Sequence, residues 1–340
     1  MAIREGNKTA MTHPETALEP DLPIIDPHHH LYDRPHLHYM FKELLADTQA
    51  GHDIRATVYI ETTAMKRASG PESLRPVGET EFANGVAAMS ASGRYGVVRI
   101  CSGIVGFADL SLGAGVADVL AAHVAAGGGR FRGIRQAAYW DEDETILAFV
   151  QRRAPKGLLG QTQFREGFAE LQRFGLSFDA LIWHTQIPEL VDLARAFPET
   201  PIVLNHMASP LGVGRHAGRR KEVFADWSRD MTELARCGNV TVKLGGLGMP
   251  LAGFDFHERT GGGSSDDLAA AWAPYIETCI QAFGPTRCMF ESNFPVDRPS
   301  CSYVTLWNSF KKLSSSYTAQ ERAALFHDTA AYVYRLESGS

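Results

Sequence analysis

The chain has 340 residues, 44% hydrophobic and 21% charged, which is enough apolar material for one large α/β barrel or two average domains. With 33 basic against 39 acidic residues its formal charge is −6, and no long basic run is present, so nucleic acid is not an expected partner. No apolar run approaches the roughly 18 residues of a membrane span, and the first twenty residues, polar and carrying Pro14 and Pro20, lack the apolar core of a secretion signal. They read as a flexible tail over 1–20, ahead of a single unit over 21–340. Five scattered cysteines without a Cys-x-x-Cys pair suit reduced, buried thiols in a cytoplasmic protein. The sequons at Asn7 and Asn239 are then chance matches.

The ordered part opens on Ile24-Ile25-Asp26-Pro27-His28-His29-His30-Leu31-Tyr32-Asp33, an apolar run stopping in imidazoles. Side chains two apart in an extended segment share a face, so His28 and His30 aim at one point while His29 faces away. Residues 39–50 place Met40, Phe41, Leu44 and Leu45 at helical spacing. Residues 56–61, Ala-Thr-Val-Tyr-Ile-Glu, are β-branched and aromatic, a strand ending in a carboxylate. A helix over 78–92, a strand over 97–107 and an alanine-rich helix over 116–126, stopped by three glycines, come next. The fourth strand, 131–138, carries Arg135. An irregular acidic stretch over 139–161 contains Trp140, and a helix over 163–174 leads to a fifth strand, 177–183, ending at His184.

A helix over 187–197 precedes Pro201-Ile202-Val203-Leu204-Asn205-His206, again a strand ending in histidine. Residues 221–237 are helical, and 239–244 form a seventh strand bearing Lys243. The Gly-rich connection over 245–267 is most flexible at 261–265. A helix over 268–283, an eighth strand over 287–291, and helices over 304–312 and 318–336 complete the chain. Most strands are continuous apolar runs, the mark of a parallel sheet buried on both faces. A single (β/α)8 TIM barrel is the economical solution. The competing doubly wound sheet lacks its nucleotide fingerprint, because Gly113-Ala114-Gly115 has no third glycine.

In such a barrel the C-terminal strand ends converge on one mouth. There stand His28, His30, Glu61, Arg135, His184, His206, Lys243, Glu291 and Asn293, with Asp297 just beyond. Three imidazoles can hold zinc and leave a position open for water or a carbonyl; alternatively they act without metal, as donors to a developing oxyanion. Arg135 and Lys243 could hold a substrate carboxylate, although Arg135 could equally pair with Glu61 inside the barrel. Trp140, with Tyr139, Trp183 and Phe294, would wall the pocket, and the Gly-rich connection could act as a lid.

The motifs Ile-Ile-Asp-Pro-His-His-His-Leu-Tyr-Asp at 24–33, Gly-Ile-Arg-Gln at 133–136, Trp-His at 183–184, Val-Leu-Asn-His-Met at 203–207, Val-Lys-Leu-Gly-Gly-Leu at 242–247 and Met-Phe-Glu-Ser-Asn-Phe-Pro-Val-Asp at 289–297 resemble the amidohydrolase superfamily. The resemblance is greatest to its lactone hydrolases, which include 2-pyrone-4,6-dicarboxylate lactonase and sugar-acid lactonases. It implies His28, His30 and His184 as metal ligands and His206 facing water or substrate. The strand-eight position usually held by an aspartate ligand and base is Asn293 here, and an amide cannot take a proton. Glu61 is the preferred replacement, with His206, Glu291 and Asp297 as alternatives.

The expected protein is therefore a hydrolase opening a lactone of a carboxylated catabolic intermediate, with catalytic Glu61, His206 and Asn293, substrate-binding Arg135, Trp140 and Lys243, and a zinc ion. A metal-dependent decarboxylase of an aromatic acid and a non-catalytic ligand-binding barrel are the alternatives. The expected partner is a small molecule, and assembly as a homo-oligomer is compatible with the sequence.

Overall fold

A computed structural model describes residues 15–150 and 152–336. Eight strands, β1 (Pro23–His29), β2 (Asp53–Ile60), β3 (Arg99–Gly106), β4 (Phe131–Ala137), β5 (Ser177–Leu181), β6 (Ile202–Leu204), β7 (Val240–Leu244) and β8 (Cys288–Phe290), form one parallel sheet in chain order. The backbone closes it between its first and last members: Asn293 N–H donates to the His28 carbonyl at 2.9 Å and His30 N–H to the Phe294 carbonyl at 2.8 Å. This is the (β/α)8 TIM barrel expected from the apolar runs.

The outer layer consists of α1 (Phe41–Thr48), α2 (Val77–Ala91), α3 (Ala117–Ala126), α4 (Thr162–Arg173), α5 (Ile187–Ala196), α6 (Arg220–Leu234), α7 (Ser265–Phe283) and α8 (Tyr303–Leu313). Two of their starts, those of α7 and α8, carry side-chain caps. Ser264 accepts from Asp267 N–H while the Asp267 carboxylate accepts from Ser264 N–H, a reciprocal cap that starts α7. Large aromatic side chains, among them Phe164, Phe168, Trp227, Trp272 and Trp307, fill the layer between helices and sheet.

A second apolar cluster lies inside the barrel, where Ile25, Ala56, Val58, Val105, Val203 and Met289 meet Ala330, Tyr334 and Leu336 from the end of the chain. The C-terminal segment thus plugs the floor of the barrel, opposite the strand tips.

Three details differ from the sequence expectations. The last helix, expected over 318–336, runs unbroken over 319–333 but is not α-helical throughout: α9 (Ala319–Ala323) passes through a π-helical turn, Ala324–Asp328, into α10 (Thr329–Val333), and helical periodicity cannot reveal one added residue per turn. Tyr32–Arg34 and Leu37–Tyr39 form a small antiparallel hairpin, too short for an alternating pattern to register. Residues 261–263, the most glycine-rich part of the long connection, are docked: Gly263 N–H donates to the Ser300 carbonyl at 2.9 Å.

Of the expected 1–20 tail, residues 15–20 are tied down, with Lys311 Nζ donating to the carbonyls of Leu18 and Glu19 at 2.7 and 2.8 Å. The Glu19 carboxylate takes both Arg322 terminal nitrogens at 2.7 and 2.8 Å, while residues 1–14 lie outside the described residues. All five cysteines are free and buried. Among the described residues no helix is long and apolar enough to cross a membrane.

Candidate active site

The strand tips bring His28, His30, Glu61, Arg135, His206, Lys243 and Glu291 into one buried cluster, none of them more than 6% exposed. Strand period explains the first two: His28 Nε2 and His30 Nε2 are 3.2 Å apart on the inner face. His29 between them turns outward to Thr57 Oγ1 at 2.9 Å, the structural role its parity predicts. His30 Nδ1 meets the Ile60 carbonyl at 2.9 Å and so carries the proton, leaving a lone pair on Nε2. His206 Nδ1 lies 2.7 Å from Glu291 Oε1, which fixes the same tautomer.

His28 Nδ1 stands between Glu291 Oε2 at 2.7 Å and Lys243 Nζ at 3.3 Å, and Arg135 NH1 approaches its Nε2 at 3.3 Å. Burial, and then the charge of Lys243, pushes the His28 imidazole well below its usual range; burial followed by Arg135 does the same to His30. Both rings are therefore neutral, the form a metal or an electrophile requires.

The two cations are engaged. Arg135 Nε donates to Glu61 Oε1 at 3.0 Å and its NH2 group to the Glu61 carbonyl, the internal pairing that competed with carboxylate binding in the sequence. Glu61 Oε2 is buried with no hydrogen-bond partner among the described residues, so it is the open acceptor of the pair. Lys243 Nζ donates to Asp179 Oδ2 at 2.8 Å. Asp179, a lone carboxylate within β5, was not singled out by sequence reasoning; its only signal was an acid inside the apolar run Ser177–Leu181.

Asn293 and Asp297 turn to each other. Asn293 Nδ2 donates to Asp297 Oδ1 at 2.9 Å and Gly248 N–H to Asp297 Oδ2 at 3.0 Å. Burial pushes the Asp297 carboxyl up to about 8 despite these bonds, with Glu291 adding to the rise. Asp26 latches β1 to the segment after β8, accepting from Ser292 Oγ at 2.6 Å and Tyr303 OH at 3.0 Å.

The backbone beneath the cluster is strained. His206, Met207, Ala208 and Ser209 lie at φ 53, 51, 59 and 40°, a left-handed run without glycine. Such a conformation costs about 1–2 kcal/mol per residue, and it is held by Trp227 Nε1 donating to the Met207 carbonyl at 2.8 Å and His206 N–H to Glu291 Oε1 at 3.2 Å. Gly246, at φ 72°, closes the other side: a Cβ there would sit 2.5 Å from His206 Nδ1. The Gly-rich connection therefore begins as part of the site wall.

His184 and Trp140 lie elsewhere in the mouth. His184 Nδ1 accepts from Leu211 N–H at 3.3 Å, its ring meets His216 edge-on at 5.0 Å, and burial followed by His216 lowers it to about 4. It does not join His28 and His30. Trp140 is half-buried with Lys156 Nζ 4.6 Å over its ring. An apolar wall forms beside it from Tyr139 stacked on Trp183 at 4.8 Å, with Leu181, Leu211 and Met249.

Among the described residues, one set of three metal-capable side chains has donor atoms within 4.8 Å of one another, namely His28, His206 and Glu291. The set fits a divalent cation. Glu291 places one oxygen 2.7 Å from His28 Nδ1 and the other 2.7 Å from His206 Nδ1, its Oε2 has no hydrogen-bond partner among the described residues, and His30, held by the Ile60 carbonyl, brings Nε2 to 3.2 Å from His28 Nε2 as a further donor atom.

This fold is that of the amidohydrolases. The model of the amidohydrolase family matches residues 25–336, and the chain belongs to that family. It is 33% identical to an uncharacterised protein of Sinorhizobium fredii over 93% of this chain and 99% of that protein. It is 30% identical to L-fucono-1,5-lactonase of Burkholderia multivorans over 68% of this chain and 71% of that enzyme. A crystal structure of an amidohydrolase from Burkholderia multivorans with bound zinc has a TM-score of 0.69 at 25% identity, covering 92% of this chain and 99% of that one. A Pseudomonas putida protein assigned as a 2-pyrone-4,6-dicarboxylic acid hydrolase shares the fold, with a TM-score of 0.64 at 17% identity and coverage of 94% and 99%.

Proposed function

We propose that the chain is a lactonase, opening the ring ester of a small hydroxylated acid at the barrel mouth. The observation that carries this is the pair of neutral, facing imidazoles His28 and His30, bridged through Glu291 to His206 in an amidohydrolase barrel. The likeness to L-fucono-1,5-lactonase supports a sugar-acid lactone. A carboxylated substrate has less support, because Arg135 and Lys243 are each matched by a buried acid and Glu291 adds a third carboxyl group to the two cations.

His28, His206 and Glu291, with His30 beside them, would hold a zinc ion. Bound there, zinc would polarise the ester carbonyl and lower the pKa of water. Glu61, oriented by Arg135, accepts the proton of the attacking water on Oε2. The ring C–O bond then breaks, and the proton held by Glu61 returns to the departing alkoxide. Asn293 takes no proton in this scheme: it holds Asp297 and the first strand, while Glu61 replaces the aspartate expected at the eighth strand tip.

Proton release from L-fucono-1,5-lactone and from a pyrone dicarboxylate, followed before and after chelation, tests this. Turnover of the sugar lactone, lost on chelation and restored by zinc, is expected. A metal-free protein with full activity would remove the zinc, and spontaneous rates on both substrates would remove the lactonase.

A further inference from the structure

The site extends downward through the barrel. Asp179 Oδ2 collects three donors, Lys243 Nζ at 2.8 Å, Asn205 Nδ2 at 3.0 Å and Tyr334 OH at 2.8 Å. Lys243, fully buried, in turn places Nζ 3.3 Å from His28 Nδ1 and 5.1 Å from the centre of the Tyr334 ring. Tyr334 comes from the far end of the chain and enters from the floor. The π-helical turn Ala324–Asp328 and α10 deliver it there, and the interior makes room: a Cβ at Gly103 would lie 3.3 Å from Leu336 Cδ2 and from both Val58 methyl groups. Burial and the charge of Asp179 hold the Tyr334 phenol well above its usual range, so its hydroxyl is a permanent donor.

We propose that Tyr334 is a positioning residue of the active site, acting from the C-terminal plug through Asp179 to set where Lys243 stands beneath His28. A buried carboxylate shared by three donors has no water to re-satisfy it when one is removed, so it shifts toward those that remain. Here the remaining pair is Lys243 and Asn205, and any movement of Lys243 changes the field and hydrogen bonding at His28. The C-terminal segment is then part of the catalytic assembly as well as packing.

The test rests on the lactonase proposal only for its kinetic arm. Tyr334→Phe keeps the ring and removes the hydroxyl; Asp179→Asn removes the shared charge. In the full chain, Tyr334→Phe should lower kcat by roughly 10- to 100-fold with KM nearly unchanged, while its melting temperature moves by no more than about 4 °C. The double variant should be no slower than Asp179→Asn alone, since both act along one chain of contacts. Imidazole 15N resonances of His28, assigned by comparison with His28→Gln, should shift in Tyr334→Phe. Wild-type kcat together with an unmoved His28 signal would overturn the proposal. A wild-type protein that hydrolyses no lactone would overturn the proposed function instead, and the His28 signal would then decide the role of Tyr334 by itself.

Discussion

Glu291 is the residue on which the cluster turns, because its two oxygens face two different imidazoles at 2.7 Å each. Glu291→Gln keeps the shape but brings an amide N–H against a ring N–H, leaving a buried donor unmet at a cost of about 1–3 kcal/mol. Steady-state kinetics of Glu291→Gln should show kcat reduced by about 10- to 100-fold; undiminished turnover would mean that the bridge does not orient the rings. Gly246 is the second such position, with its positive φ and His206 within touching distance of an added methyl. Gly246→Ala should lose about 1–3 kcal/mol of stability and most of the activity. Gly70→Ala, at φ 92° with open space around it, is the control: a smaller stability loss with activity retained is expected in denaturation and rate assays.

At the level of elements, α3 is pinned to its neighbours by a neutral histidine. His123 Nε2 donates to the Phe107 carbonyl at 3.0 Å and its Nδ1 accepts from Thr80 Oγ1 at 2.8 Å, and burial lowers its pKa from 6.5 to about 4. A base depressed in the fold contributes stability that is complete above its unfolded pKa near 6.5 and is lost as pH falls toward about 4. Urea denaturation at pH 7.5 and pH 5 should therefore show a greater loss in the native chain than in His123→Gln, by up to about 2 kcal/mol at pH 5. Identical pH slopes in the two proteins would contradict it; contributions from Asp26 and Glu79, raised to about 6 and about 7, have the opposite sign and cancel in the comparison.

The same elements show what the sequence could reveal. All eight strands and most helices were legible, because a parallel strand buried on both faces is a plain apolar run and its polar end marks the barrel mouth. His28, His30, Glu61, Arg135, His206 and Lys243 were found that way, and they meet. Pairing of Arg135 with Glu61 was one of the two readings the sequence offered, whereas the pairing of Lys243 with Asp179 depends on the stagger between strands, which a two-residue period does not carry. His184 sits at a strand tip like the others, yet it follows the turn toward Leu211 and His216. Tyr334 falls in a stretch expected to be plain helix, and nothing in helical spacing marks it as reaching Asp179.

Across the whole molecule, the ring of strands is completed near its mouth by hydrogen bonds between the first strand and the segment after the last, and its floor is filled by the C-terminal plug. Between the two lies a column of buried charge, Glu61, Arg135, Glu291, Lys243 and Asp179, which no apolar core needs and which costs stability unless function requires it. The left-handed run at His206 adds to that cost in the same place. Both features fit a barrel in which the interior serves catalysis and the helix–sheet layer supplies the stability.

The most direct measurement is the initial rate of proton release from a panel of 1,5-lactones in the presence of zinc, comparing the native chain with a folded His28→Asn, His206→Asn double variant. Turnover by the native chain on at least one lactone, falling to the spontaneous rate in the variant, is the predicted result. Equal rates in the two proteins, with both folds intact, would contradict a lactonase site at these histidines.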